Sequence, residues 1–147
     1  MDIFSYLSGY VDGEGCFCVT FNKSKRHRYN WDIRPSFSVS QNRSNAQVLY
    51  LLKEYFGCGT IRPDRSDKTL KYEVRSVNDL LKKIIPHFTK YPIISNKRKD
   101  FEKFKKVCEL IYQKKHLTLS GLKEIAKISA CINISGKKKY HRLKVKI

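Results

Sequence analysis

Apolar positions along this chain change period several times, and each change marks a new element. Residues 3–11 (IFSYLSGYV) set Phe4, Leu7 and Val11 on one helical face. The acidic turn Asp12-Gly13-Glu14-Gly15 follows, where two glycines predict the end of a short helix. The period then falls to two. Phe17, Val19 and Phe21 alternate with Cys16, Cys18, Thr20 and Asn22, and Trp31, Ile33, Phe37 and Val39 alternate with Asp32, Arg34, Ser36, Ser38 and Ser40. That is the pattern of two strands, each with one buried face. KSKRHRYN at 23–30 reads as a basic hairpin loop between them.

Helical spacing returns with Val48, Leu51, Leu52, Tyr55 and Phe56, preceded by Ser44-Asn45-Ala46-Gln47, which fits a capping box, and closed by Gly57. Residues 58–63 and 69–76 read as strands around a turn at 64–68, with Leu70, Tyr72 and Val74 on one side and Thr69, Lys71, Glu73 and Arg75 on the other. Asn78 is placed to cap a helix carrying Leu80, Leu81, Ile84 and Ile85 to about Phe88, and the region of Pro86 and Pro92 predicts its end. Two further helices carry Phe101, Phe104, Val107 and Ile111, then Leu119, Leu122, Ile125 and Ile132. The order αββαββ followed by helices predicts an α+β fold, a four-stranded antiparallel sheet with its helices on one face. No linker or internal repeat divides the chain, so one domain is expected over 1–135, followed by a basic tail at 136–147.

Charge gives this architecture a direction. The 147 residues hold 31 Lys and Arg against 13 Asp and Glu, a net charge of +18, while 41% of the chain is apolar or aromatic. So much apolar content supports a real core and excludes a disordered basic tail. So much positive charge favours a polyanionic partner, with nucleic acid ahead of an anionic membrane, and disfavours a small-molecule substrate. Apolar runs such as CFCV fall short of the roughly 18 residues of a membrane helix, and no helix joins a basic face to a broad apolar one, so no membrane partner is expected. Residues 1–15 carry acids but no Lys or Arg, the reverse of a secretory or transit leader, so the protein is expected to stay where it is made. Five cysteines without a CxxC read as reduced thiols.

The open face of the sheet would present Thr20, Asn22, Ser24, Arg34, Ser36, Ser38, Ser40, Arg62, Lys71, Glu73 and Arg75, with Lys25, Arg26 and Asp64 in the adjoining loops. Hydroxyl, amide and guanidinium groups of this kind read base edges in the DNA major groove, which admits a β-ribbon. These fourteen are the candidate DNA-binding residues.

The segment YLSGYVDGEG at 6–15 resembles the LAGLIDADG motif of homing endonucleases, with Gly9, Asp12, Gly13, Glu14 and Gly15 in their places, Ser8 for Ala and Glu14 for the last Asp. The element order after the motif and the segment TKYPIISNKRKDF at 89–101 strengthen the likeness. The resemblance implies a saddle-shaped sheet and a double-strand DNA endonuclease that cleaves a long, nearly palindromic target and promotes the mobility of a group I intron. It implies Mg²⁺ as cofactor, with Mn²⁺ substituting and Ca²⁺ supporting binding without cleavage. By the same resemblance Glu14 ligates metal, assisted by the Gly13 carbonyl. Gln41 organises the water at the scissile phosphate, and Lys97 stabilises developing charge, with Lys99 as the other register. Asp12 orients the turn, and Arg43 and Asn45 stand near the family's arginine position. A single motif implies a homodimer through Leu7, Ser8, Val11 and Asp12. Synthesis is expected inside a chloroplast or mitochondrion, or in a bacterial cytoplasm. A cleavage-deficient relative acting as an RNA maturase or DNA-binding regulator is the alternative.

Overall fold

In the computed structural model, which describes residues 1–133, the chain runs α1 (Ile3–Glu14), β1 (Gly15–Lys23), β2 (Trp31–Asn42), α2 (Gln47–Phe56), β3 (Thr60–Asp64), β4 (Ser66–Val74), α3 (Val77–Asp79), α4 (Ile85–Lys90), α5 (Lys97–Tyr112) and α6 (Leu119–Ser129). The predicted tail at 136–147 lies outside the described residues. The strands form one four-stranded antiparallel sheet in the order β1-β2-β4-β3, the expected α+β architecture. Two compact units are present: Met1–Cys16 with Ser36–Ser95, and Phe17–Pro35 with the described residues from Asn96 to Asn133.

The first unit is organised by register. Phe37 pairs with Val74 and Val39 with Tyr72, so Phe37, Val39, Leu70, Tyr72 and Val74 share one face. Leu49, Leu52 and Phe56 of α2 are buried, and Phe37 meets the rings of Phe56 and Phe88 at 6.2 and 5.6 Å. Burying each such side chain contributes about 1.5–3 kcal/mol. The wholly buried Tyr72 donates its hydroxyl to the Cys58 carbonyl at 2.8 Å, and burial raises its pKa. Gly59 (φ 87°) leads into β3 where a Cβ would stand 2.7 Å from the Tyr72 ring and 2.8 Å from the Glu73 carbonyl oxygen, so only glycine fits there. On the opposite face Ser38, Glu73 and Thr60 align in one row, and Ser40, Lys71 and Arg62 in the next.

In the second unit Phe17 of β1 lies 5.3 Å from the rings of both Phe101 and Phe104 on α5. Thr118 caps α6 by accepting from the Gly121 amide at 3.1 Å, and Leu122 and Ile125 of that helix are buried. Asn133 donates from Nδ2 to the Phe17 carbonyl at 2.8 Å. Among the described residues, no helix is long and apolar enough to cross a membrane.

Several boundaries differ from the sequence reading. Helix α1 does not stop at Val11 but runs through Gly13 to Glu14. One glycine costs only about 1 kcal/mol in a helix, less than the burial of Leu7 and Val11 contributes. The capping box is not used: a 3₁₀ turn at Arg43–Asn45 precedes α2, Ala46 is its N-cap with no side-chain bond, and Leu49 replaces Val48 and Leu51 in the buried line. Ser76, not Asn78, caps α3 by accepting from the Asp79 amide. The helical run ends at Lys90, inside the expected region of Pro86 and Pro92, and it passes Pro86 where a π-helical turn at Leu80–Ile84 widens the ladder just ahead of it. The turn between β3 and β4 contracts to Arg65, which takes a positive φ of 49°.

Candidate active site

Helix α1 carries two polar neighbourhoods. In the first, the Ser8 hydroxyl, only 4% exposed, donates to the Tyr91 carbonyl at 2.6 Å, so its oxygen accepts from Nε2–H of His87 at 3.0 Å. That fixes the tautomer: Nδ1 is bare and accepts from the Tyr55 hydroxyl at 2.9 Å. His87 is 5% exposed, and burial pushes its pKa down from 6.5 to about 4, so the ring is neutral near pH 7. Ser8 is therefore no activated nucleophile, since its proton is directed at a carbonyl. Leu7 and Val11 are fully buried within the same unit. Leu7, Ser8 and Val11, the residues expected to meet a second copy, pack into the chain's own core. The stripe of α1 left exposed holds Tyr6, Gly9 and Gly13.

The second neighbourhood is the C-terminal turn of α1. Asp12 accepts from the backbone amides of Ile94 (3.2 Å) and Ser95 (3.1 Å) and from the Ser95 hydroxyl. Its carboxylate thus holds the segment that ends two residues before Lys97. Glu14, the last residue of α1, is exposed, and among the described residues no ion pair engages it. A helix C-terminus gathers unsatisfied carbonyls and a partial negative charge, which favours a cation. The Glu14 carboxylate and the carbonyl of exposed Gly13 are hard oxygen donors, a set that fits Mg²⁺, which binds through one or two carboxylates and keeps waters. Among the described residues, no group of three or more His, Cys, Asp and Glu side chains is placed to hold a metal ion.

Gln41, near the end of β2, donates from Nε2 to the Tyr10 hydroxyl oxygen at 2.8 Å, and its Oε1 accepts from the Asn42 amide at 2.9 Å. Tyr10 and Glu14 stand four apart on α1, one turn along the same face. The Gln41 amide is thereby anchored one helical turn before Glu14. Sequence reading missed Tyr10, although a phenol standing where the motif's name has its second Leu was a visible departure. Lys97, half-buried, opens α5 in the second unit, with the exposed Lys99 following it. Arg43 spends its Nε on the Asp67 carbonyl at 2.7 Å, and Asn45 ends the 3₁₀ turn.

The predicted reading residues fall into distinct states. Thr20 and Asn22 on β1, Lys25 and Arg26 in the loop and Arg34 on β2 are exposed, with Arg34 held by Asp32 at 2.7 Å. Ser24 and Ser36 are half-buried, and Ser38 is buried. Ser40 donates to Asp64 at 3.0 Å. Glu73 is only 7% exposed, with Arg75 Nε at 2.7 Å, Arg62 Nη2 at 3.3 Å and Lys71 Nζ at 3.9 Å from its carboxylate oxygens.

Glu14 thus stands exposed at the end of α1, and the polar face of the strands carries hydroxyl and cationic side chains. The profile of the LAGLIDADG endonuclease family matches residues 7–108, and the chain belongs to that family. It is similar to the probable intron-encoded endonuclease 2 of Neurospora crassa, with 36% identity over 130 residues, 88% of this chain and 29% of that protein. A second Neurospora crassa relative, the probable intron-encoded endonuclease 3, is likewise spanned over only 24% of its length. Among solved structures, the homing endonuclease I-TnaI matches with TM-score 0.87 at 32% identity over 98% of both chains. I-SmaMI bound to cleaved DNA matches with TM-score 0.85 at 34% identity, over 90% of this chain and 44% of that one.

Proposed function

We propose that the chain is a divalent-metal-dependent, site-specific DNA endonuclease that acts as a homodimer and cuts both strands of a nearly palindromic site. The carrying observation is Glu14: an exposed carboxylate at a helix C-terminus, with the Gln41 amide anchored one turn away through Tyr10. I-SmaMI, structurally similar to this chain, has been solved with cleaved DNA and with an uncleaved target in the presence of calcium ions, which supports DNA and divalent metal as partners.

Glu14 and the Gly13 carbonyl would hold Mg²⁺, whose charge lowers the pKa of bound water and neutralises a phosphate oxygen. Gln41 keeps one N–H and one lone pair beyond its two bonds, enough to orient a water. Lys97 supplies positive charge against the developing oxyanion. Each chain brings one Glu14, so cutting both strands needs two copies, joined across the exposed stripe of Tyr6, Gly9 and Gly13. The names of the relatives, encoded in introns, support a role in intron mobility and synthesis inside an organelle.

The test is to enrich a randomised duplex pool for binding in Ca²⁺ and then add Mg²⁺ or Mn²⁺. The expected result is a nearly palindromic consensus that is held in Ca²⁺ and cut on both strands in the other two ions. Binding without cutting in every metal would overturn the nuclease assignment and favour a binding or maturase role.

A further inference from the structure

Of the acids on the strands, Glu73 is the buried one. Glu73 lies on the solvent-side face of β4, aligned with Ser38 on one neighbouring strand and Thr60 on the other, yet it is 7% exposed. Three cations cover it. Arg75, two residues on, approaches Oε1 through Nε at 2.7 Å, Arg62 of β3 reaches the same oxygen at 3.3 Å, and Lys71 lies 3.9 Å from Oε2. The arginine side chains themselves remain 57% and 46% exposed. A groove of about 400 Å³ opens beside them, lined also by Thr60, Ser76 and Asp79.

An arginine that must only attract phosphate gains nothing from a carboxylate at its base, which cancels part of its charge. An arginine that must present its planar fork to one base edge gains orientation from a fixed anion: Arg62 donates from Nη2 to Glu73 at 3.3 Å and Arg75 ion-pairs with the same oxygen at 2.7 Å, and each guanidinium keeps further N–H groups. We infer that Glu73 does not touch DNA but is a positioning residue for sequence recognition, holding Arg75 and Arg62 so that their free guanidinium N–H groups read guanine edges in the major groove. This rests on the proposed DNA-cleaving function and assigns the read-out chemistry on that face. The prediction it makes is paradoxical: removing the acid should strengthen binding and weaken recognition. One unit charge a few ångströms from phosphate in water is worth about 1 kcal/mol, roughly a fivefold gain in affinity for any duplex. Freed arginines should lose roughly tenfold of base discrimination at the positions they read.

The experiment measures the base-preference profile from the randomised-duplex enrichment in Ca²⁺, beside the affinity for a scrambled duplex, for the wild type, Glu73→Gln and Arg75→Lys. Expected for Glu73→Gln is tighter scrambled-duplex binding with the preference flattened at one or two positions per half-site. Arg75→Lys keeps the charge but loses the fork, so it should flatten one of those same positions, and it reads the arginine half of the proposal even if Glu73→Gln folds poorly. Retention of the wild-type profile by a folded Glu73→Gln, retention of it by Arg75→Lys, or a uniform loss of affinity over all sequences would overturn it. A wild type with no preferred sequence would instead remove the DNA-reading function on which it rests.

Discussion

The two polar neighbourhoods of α1, Ser8 and Glu14, are less than two turns apart and opposite in logic. Around Ser8 every proton is directed: hydroxyl to the Tyr91 carbonyl, His87 Nε2–H to Ser8, Tyr55 hydroxyl to His87 Nδ1. This closed network joins α1 to α4 and to α2 and holds an imidazole neutral, as burial requires. At the other end Asp12 is equally spent, on the backbone of residues 94 and 95, while Glu14 is left open. Polar groups that serve the fold are saturated. Glu14, the carboxylate proposed to hold metal, stands exposed on a helix anchored by its saturated neighbours.

Glu14→Gln is the sharpest way to test that division. Cleavage should fall by roughly a thousandfold or more, since a metal ligand worth several kcal/mol is removed, while DNA affinity and melting temperature hold because the side chain is exposed. A large loss of stability would mean that Glu14 serves the fold after all. Next in size is Gly9→Leu, on the stripe assigned to the second copy. Its Cβ finds nothing within 4 Å inside one chain, and replacing a helical glycine stabilises by about 1 kcal/mol. The chain should therefore melt higher while the dimer, read by sedimentation, weakens about a hundredfold through overpacking. An intact dimer would move the interface elsewhere.

The closed network predicts a pH dependence. The native state lowers the pKa of His87 to about 4 against 6.5 for the free side chain, so between those values the unfolded chain binds the proton that the folded chain rejects. Stability is complete above pH 6.5 and falls as pH drops toward 4, by about 3 kcal/mol in all. His116, lowered by burial and then by the nearby His27, acts in the same direction. Urea midpoints at pH 7 and pH 5 should differ clearly less in His87→Gln than in the wild type. An equal acid loss in the variant would show that His87 is not the group titrating.

How much of this was legible in the residues depends on how local the cause is. The alternation of Phe37, Val39, Leu70, Tyr72 and Val74 reports burial directly, so strands, their order in the chain and the polar face were readable from period alone. Gly57 ends α2 as expected because its left-handed φ of 66° is a local need. Asp12 and Glu14 are near twins in sequence, and what separates them is a segment 82 residues away from Asp12. The same holds for Ser8, expected at an interface for its small size and found serving a histidine 79 residues on. Glu73 read as one more polar position on an open strand: Lys71 and Arg75 were visible beside it at two-residue spacing, but Arg62, which completes its cover, comes from the neighbouring strand and its register.

Tyr10 offers the finest test of the boundary between the two neighbourhoods, because it stands between them and belongs to the open one. It accepts the Gln41 amide at 2.8 Å, and its ring lies 6.3 Å from that of Tyr6. In Tyr10→Phe the ring contact survives and only the acceptor for Gln41 goes. A hydrogen bond of this kind contributes about 0.5–1.5 kcal/mol, so the single-turnover cleavage rate should drop by about two- to twelvefold at unchanged DNA affinity. The melting temperature should barely move, since the hydroxyl is only partly buried and Gln41 can bond to water instead. A structural role would show the reverse, a lower melting temperature with full cleavage by the folded fraction. Gln41→Ala then completes a double-mutant cycle. If Tyr10 acts through Gln41, removing the phenol from the Gln41→Ala background should cost nothing further, whereas additive losses would mean that Tyr10 touches the reacting groups itself.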